Sequence, residues 1–266
     1  MNKRTRKNEN KMKKKPSNFR KLEQEEILFG RHVVFNLFNE EKQVNRFYLQ
    51  KGIGGGQIQA ILKKVKEQGV VIQEVPKSKL DELTQGANHQ GVAVTLPPYE
   101  YKTLEDCFQL AKDKDEAPFF IILDGIEDPH NLGSILRTAD ATGVHGVIIP
   151  KRRAVGLTGT VAKTSAGAIE HVPVVRVTNI SQTIQQLKEQ GVWVFASAMH
   201  GEDMRSWNTS GSIAIVIGNE GEGVSPLVEE TSDGTVAIPM TGDIESLNAS
   251  VAAAVLMYEV ARHRLK

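Results

Sequence analysis

The chain contains a single cysteine, Cys107, which rules out an intramolecular disulfide and fits a reducing compartment. No cysteine or histidine spacing resembles a zinc site, so no metal is expected. Long apolar runs are missing too. Nothing approaches the roughly 20 apolar residues of a membrane-spanning helix, and no apolar core of a secretion signal follows the basic N-terminal stretch. These absences point to a cytoplasmic protein with no membrane association.

Several familiar sites are also absent. Gly52, Gly54, Gly55 and Gly56 follow a strand and precede a helix, but Gln57 stands where a dinucleotide fingerprint needs its last glycine, which disfavours a nucleotide-dependent oxidoreductase. The stretch from Gly159 to Thr164 lacks the Gly-Lys pair of a phosphate loop, and Ser165 lacks the first glycine of a nucleophile elbow.

What is present is unevenly distributed. The net charge is +1, yet Met1 to Lys21 holds ten Lys or Arg residues against one acid, Glu9, leaving the remainder near −8. Such a tail is either a solvated, disordered extension or an arm that contacts phosphates. With 40% hydrophobic residues, the 266-residue chain can bury a core in one large domain or two smaller ones, and two fit the pattern better.

From Ile27 to Leu96 the pattern predicts a small α/β unit: helix near Arg31 to Phe38, strand at Arg46 to Gln50, helix at Gln57 to Lys66, then strands at Val70 to Glu74 and Val92 to Leu96. Pro97 and Pro98 end it, and a polar stretch serves as connection to Pro118. Beyond it, apolar runs at Phe119 to Leu123, Gly146 to Ile149, Val172 to Val175, Val192 to Ala196, Ile213 to Ile217 and Thr235 to Ile238 alternate with helical stretches. That rhythm predicts a parallel sheet flanked by helices. The expected organisation is a tail at 1–24, a first domain at 25–98, a linker at 99–117 and a second domain at 118–266.

Ligands of open parallel sheets gather where strands end and helices begin, and three loops stand out there. In DGIEDPHNLGSILRTADATG, from Asp124 to Gly143, Asn131 or Ser134 can cap a helix whose first or second turn carries Arg137. An arginine so placed is either a plain surface charge or the partner of a phosphate or oxyanion. AIVIGNEGEGV, from Ala214 to Val224, leaves a strand into three glycines, which permit close backbone approach. Glu220 in it is either an acid near a helix N-terminus or a functional carboxylate. AIPMTGDIESLNASVAAAVLMYEVARHR joins a loop to a long helix beginning near Ser246 to Asn248, whose N-terminus suits a carboxylate.

In this order, DPHNLGSILRTA, IGNEGEG and IPM followed by SLNAS resemble the three motifs of the SpoU (TrmH) family of RNA 2′-O-methyltransferases, in the knotted SPOUT superfamily. The resemblance covers Phe119 to Arg264. The unit before it resembles, at Gly30, Arg31, His89, Gln90 and Gly91, the L30-like RNA-binding domain of the family's ribosomal branch, which tRNA-modifying members commonly lack. The resemblance implies a knotted α/β parallel-sheet methyltransferase domain behind a small α/β L30-like domain, assembled as a homodimer with active sites by the interface. It implies methyl transfer from S-adenosylmethionine to the ribose 2′-hydroxyl of a guanosine in 23S rRNA. The alternatives are a tRNA substrate or a non-catalytic rRNA-binding assembly protein.

Carried over by position, Asn131 and Arg137 match first-motif catalytic residues, Glu220 the second-motif acid, and Ser246 and Asn248 third-motif residues near the active site. Gly218, Ile238 and Leu247 match positions whose backbone surrounds S-adenosylmethionine. A guanidinium with a pKa above about 12 is a poor base. Arg137 is therefore expected to stabilise the developing alkoxide and grip a phosphate, oriented by Asn131.

Overall fold

The computed structural model describes residues 26–242 and 246–265. The basic stretch Met1 to Lys21 lies outside the described residues. The first unit runs β1 (Glu26–Phe29), α1 (Arg31–Asn39), β2 (Arg46–Gln50), α2 (Gly56–Glu67), β3 (Ile72–Val75), α3 (Lys77–Leu83) and β4 (Val92–Leu96). Its sheet has the order β1-β4-β2-β3, with β4 antiparallel to β1 and β2, and β2 parallel to β3. Alternation sets its two faces: Phe47, Leu49, Val92 and Val94 pack with Val34, Phe38, Ile58 and Ile61, while Tyr48 and Ala93 point the other way, to Val75 and Leu80.

The polar stretch after Pro98 contains a helix, α4 (Leu104–Asp113). Thr103 and Asp106 form a reciprocal capping box at its start, and the helix buries Cys107 and Ala111. Burial pushes the Cys107 thiol up to about 12, so this cysteine is packing rather than chemistry.

The second unit comprises β5 (Phe119–Asp124), α5 (Pro129–Ala141), β6 (Gly146–Pro150), α6 (Gly159–Thr164), a 3-10 turn (Ala168–Glu170), β7 (Val174–Val177), α7 (Ile180–Glu189), β8 (Trp193–Asp203), β9 (Ile213–Gly218), α8 (Pro226–Thr231), β10 (Gly234–Ala237) and α9 (Ala249–Arg264). Its six strands are all parallel, in the order β10-β8-β9-β5-β6-β7. The central strands β5 and β9 are covered on both faces, which explains their unbroken apolar sequence. Phe119, Ile121, Ile215 and Ile217 meet Ile135, Leu136, Leu256 and Met257 of α5 and α9. Phe120, Ile122, Ala214 and Val216 meet Cys107, Ile184, Leu187 and Val228 of α4, α7 and α8. Each such fully buried Ile, Leu or Phe contributes roughly 1.5–3 kcal/mol. β8 continues to Asp203, past the predicted end at Ala196, because β10 slips register at Thr235/Val236 and pairs Val236 and Ala237 with Glu202 and Asp203.

The two units are hydrogen-bonded to each other. Gln43 exchanges two bonds with the Tyr101 backbone, at 2.7 and 2.8 Å, and the Tyr101 hydroxyl donates to Asn45 Oδ1 and accepts from Leu157 N. Asn45 Nδ2 donates to Leu157 O at 2.9 Å.

Candidate active site

The sheet order brings the carboxyl ends of β5 and β9 side by side, and their loops are bonded together. Asn219 exchanges two backbone bonds with Gly223, accepts Gly221 N on its side-chain oxygen and donates Nδ2 to Gly125 O at 2.9 Å. Ser225 N donates to Asp124 Oδ2 at 2.8 Å. The glycine-rich loop is therefore held in one shape. Sequence reasoning passed over Asn219 and Asp124, although an Asn two residues before a glycine after a strand is an Asx-turn signal.

α5 begins earlier than its sequence suggests. Asp128, not Asn131 or Ser134, is the N-cap, accepting from His130 N at 2.8 Å, with Pro129 as the first helical residue. Asn131 is thus free of capping. Its buried amide donates Nδ2 to Glu220 Oε1 and accepts Asn248 Nδ2 on Oδ1 at 3.1 Å. Asn248 caps α9, accepting Ser250 N at 3.0 Å and Ser250 Oγ at 2.6 Å. A carboxylate only accepts, so this chain has one consistent polarity: Ser250 to Asn248 to Asn131 to Glu220. One side chain joins all three segments.

Glu220 also lines a cleft of about 430 Å³ formed by the middle of β8, the ends of β9 and β10 and the start of α9. Gly218, Ile238, Ser246 and Leu247 line it with Glu220, so all three predicted cofactor positions and two of the predicted catalytic residues share one cavity. Sequence reasoning did not find the wall supplied by Ser197 to His200 or the contribution of Met240. Gly218 is the tight point: a Cβ there would overlap the Gly223–Val224 backbone.

The cleft's chemistry selects its ligand. It carries Glu220, Glu222 and Glu229, and His200 bonded to Glu229 at 3.1 Å, but no Lys or Arg among the described residues. Together with the apolar side chains of Met199, Ile217, Val224 and Leu247, this suits a flat, partly apolar ligand of net positive charge. A sulfonium-bearing nucleoside fits, and a phosphorylated dinucleotide does not.

Arg137 is placed elsewhere. It lies in the third turn of α5, not the first or second, and is exposed. Six residues beyond Asn131, it stands about 9 Å along the axis and on another side of the helix. It does not line the cleft, and both ends of the Asn131 amide are engaged by Glu220 and Asn248. His130, the one histidine of the motifs DPHNLGSILRTA, IGNEGEG and IPM with SLNAS, also lies outside the cleft, its Nδ1 3.4 Å from the Thr164 hydroxyl.

In the first unit the sequence-matched points converge as well. Arg31 donates its backbone N–H to Gln90 Oε1 at 3.0 Å and Nε to Gln90 O at 3.1 Å, and Gly91 N donates to His89 Nδ1 at 2.9 Å.

Residues 118–258 match the SpoU rRNA Methylase family, and residues 27–102 match a domain described as RNA 2'-O ribose methyltransferase substrate binding. A Bacillus subtilis (strain 168) protein, provisionally named a TrmH family tRNA/rRNA methyltransferase, YacO, is 48% identical over 91% of this chain and 97% of its own. The crystal structure of the SpoU methyltransferase AviRb from Streptomyces viridochromogenes in complex with AdoMet superposes with a TM-score of 0.56 at 22% identity, covering 93% of this chain and 94% of that one. A TrmH/SpoU tRNA modifying enzyme of A. aeolicus, 27% identical with a TM-score of 0.51, covers 60% of this chain and 83% of its own. Among the described residues, no helix is long and apolar enough to cross a membrane, and no group of three or more His, Cys, Asp or Glu could hold a metal ion. With both parts matched in order and the three segments joined through Asn131, the chain belongs to the SpoU family of RNA methyltransferases.

Proposed function

We propose that this protein transfers the methyl group of S-adenosylmethionine to the ribose 2′-hydroxyl of a guanosine in 23S rRNA, the reaction of the enzyme called RlmB, in the cytoplasm. The observation that carries the reading is the Asn131 bridge between Glu220 and Asn248 at an acid-lined cleft with no Lys or Arg among its described residues. S-adenosylmethionine supplies an electrophilic methyl group beside a positively charged sulfur. Gly218, Ile238 and Leu247 would hold it, and the cleft's carboxylates favour its charge. Alignment of acceptor and donor is worth roughly 7–11 kcal/mol in favourable systems. Asn131 and Asn248, bonded to each other, fix the Glu220 carboxylate in place, and Ser246 stands at the cleft wall.

Arg137 would stabilise the developing alkoxide and hold a phosphate of the substrate. It is outside its own chain's cleft, so we assign it to the neighbouring site of a homodimer. Val251 and Tyr258 are exposed at seven-residue spacing along α9, and Leu265 is exposed just beyond its end, an apolar patch of the kind a second copy covers. The superfamily's C-terminal knot belongs to the same reading.

Residues 25–98 would present the RNA and 118–266 would perform the chemistry, joined through 99–117. The first unit favours rRNA, because the tRNA-modifying enzyme covers only 60% of this chain, about the extent of the second unit. Incubation with labelled S-adenosylmethionine and either 23S rRNA or total tRNA is expected to label a guanosine ribose of the rRNA. Label in tRNA alone would replace the substrate, and label in neither would leave an rRNA-binding assembly protein.

The basic stretch Met1 to Lys21, a tail at 1–24, would neutralise further phosphates. Its deletion is expected to flatten the salt dependence of rRNA binding by about 0.7–0.9 in logarithmic slope for each phosphate it neutralises. An identical slope would show a merely solvated extension.

A further inference from the structure

A second cavity, of about 480 Å³, opens between the two units and is lined from both. Arg46 enters it from the first unit, and Lys151, Arg152, Arg153 and Arg176 from the second, against one carboxylate, Glu127. None of these five cations forms an ion pair among the described residues. Their partners are neutral. Arg46 bonds the Gln73 side chain, Lys151 the Gln68 carbonyl at 3.2 Å, and Arg176 the carbonyls of Val44 and Lys151.

Arg176 is held most firmly, its guanidinium 4.9 Å from the Tyr101 ring centroid, and its Nε is buried without a hydrogen-bond partner. Burial and the neighbouring Arg176 charge lower the Lys151 pKa, so the cluster is under like-charge repulsion. Arg153 adopts φ 54°, a left-handed conformation costly for a side chain of its kind. Outside the N-terminal stretch the chain is net acidic, which makes this concentration of unpaired positive charge a local exception. Unpaired cations gathered this way, with Lys151 and Arg176 half-buried and Arg46, Arg152 and Arg153 exposed around them, repel one another in the free protein, and an anion placed among them relieves that repulsion.

We propose that this inter-domain cavity binds phosphodiesters of the RNA backbone, gripped between Arg46 on one unit and Arg152 and Arg153 on the other. This rests on the RNA substrate of the reading above. Five cations distributed over two domains exceed what one free phosphate needs and match a polyanion that crosses the junction. The grip also reaches the active site. Val155 N donates to Ile126 O at 3.0 Å, tying the 151–156 loop to the loop that precedes Asp128 and Asn131. Backbone held here would therefore be registered against the reacting ribose.

The test uses the full chain with Arg152→Ser and Arg153→Asn together. Both residues are exposed, and Asn tolerates the left-handed conformation at 153. Binding to transcribed 23S rRNA across a salt series is expected to lose about 1.5 in logarithmic slope, the equivalent of two phosphates left unneutralised. KM for rRNA should rise by about tenfold, far more than kcat falls, while calorimetric affinity for S-adenosylmethionine and the melting temperature hold. An unchanged slope and KM would overturn the proposal. A small-anion pocket would instead show inorganic phosphate bound by the wild-type chain and lost in the variant, with rRNA affinity unaltered, and that result also overturns it. If the wild-type chain methylates no RNA yet the variant still loses rRNA slope, the cavity stands and the assigned reaction fails.

Discussion

Arg137→Ala is expected to lower methyl transfer to rRNA by about 10²- to 10³-fold, the usual consequence of removing one donor aimed at developing negative charge. S-adenosylmethionine affinity by calorimetry should be unchanged, because Arg137 does not line the cleft. Stability should stay within about 0.5 kcal/mol, since the side chain is exposed and makes no hydrogen bond or ion pair among the described residues. Normal turnover would sink the role. The assignment to a neighbouring subunit has its own readout in mixed dimers of Arg137→Ala and Glu220→Ala chains. If Arg137 serves the partner's cleft, each mixed dimer has one site with both residues intact, and random mixing recovers roughly a quarter of wild-type activity. If it serves its own, no site is intact and mixing recovers nothing.

That Arg137 needs this second test follows from where sequence reading succeeded and failed. β2 and β4 lie at the residues their alternation marks, and β5 and β9 within a residue of their apolar runs, because burial on one face or both writes itself directly into side-chain type. Taking Asn131 or Ser134 as the cap sets the start of the helix carrying Arg137 three or six residues too late. Pro129 was the better signal, and Asp128 before it the better cap. The correction moves Arg137 down the helix and releases Asn131 to bridge.

α4 was missed for a different reason. Only Cys107 and Ala111 of its ten residues are fully buried, so its apolar stripe is faint, although Thr103 and Asp106 spell the start of a capping box. The wall at Ser197 to His200 was not legible at all. It depends on β8 lying between β9 and β10, a long-range ordering that no local period encodes. The three segments were each ambiguous alone. Their meaning came from a shared hydrogen-bond chain, and no spacing within any one segment specifies a partner 89 or 117 residues away.

Gly218→Val is expected to abolish S-adenosylmethionine binding while leaving a folded chain. Gly218 ends the buried strand β9, and a Cβ there would overlap the Gly223–Val224 backbone rather than a side chain that can turn away. That backbone cannot easily yield, because Asn219 and Gly223 are bonded to each other, Asn219 to Gly125 and Ser225 to Asp124. Relief therefore has to come from opening the 219–223 loop, which is the cleft wall and carries Glu220. Overpacking of this sort costs roughly 1–3 kcal/mol, enough to lower the melting temperature without unfolding a domain whose core lies along β5 and β9. Gly221→Ala is the control. Its Cβ would meet only Asn219 Oδ1 at 3.6 Å, an ordinary van der Waals approach, so titration of the cofactor should give wild-type heats. Near-native affinity in Gly218→Val, or equal loss in both variants, would remove this cleft as the cofactor site. Loss in Gly218→Val alone ties cofactor binding to the close approach of two backbones at the end of β9.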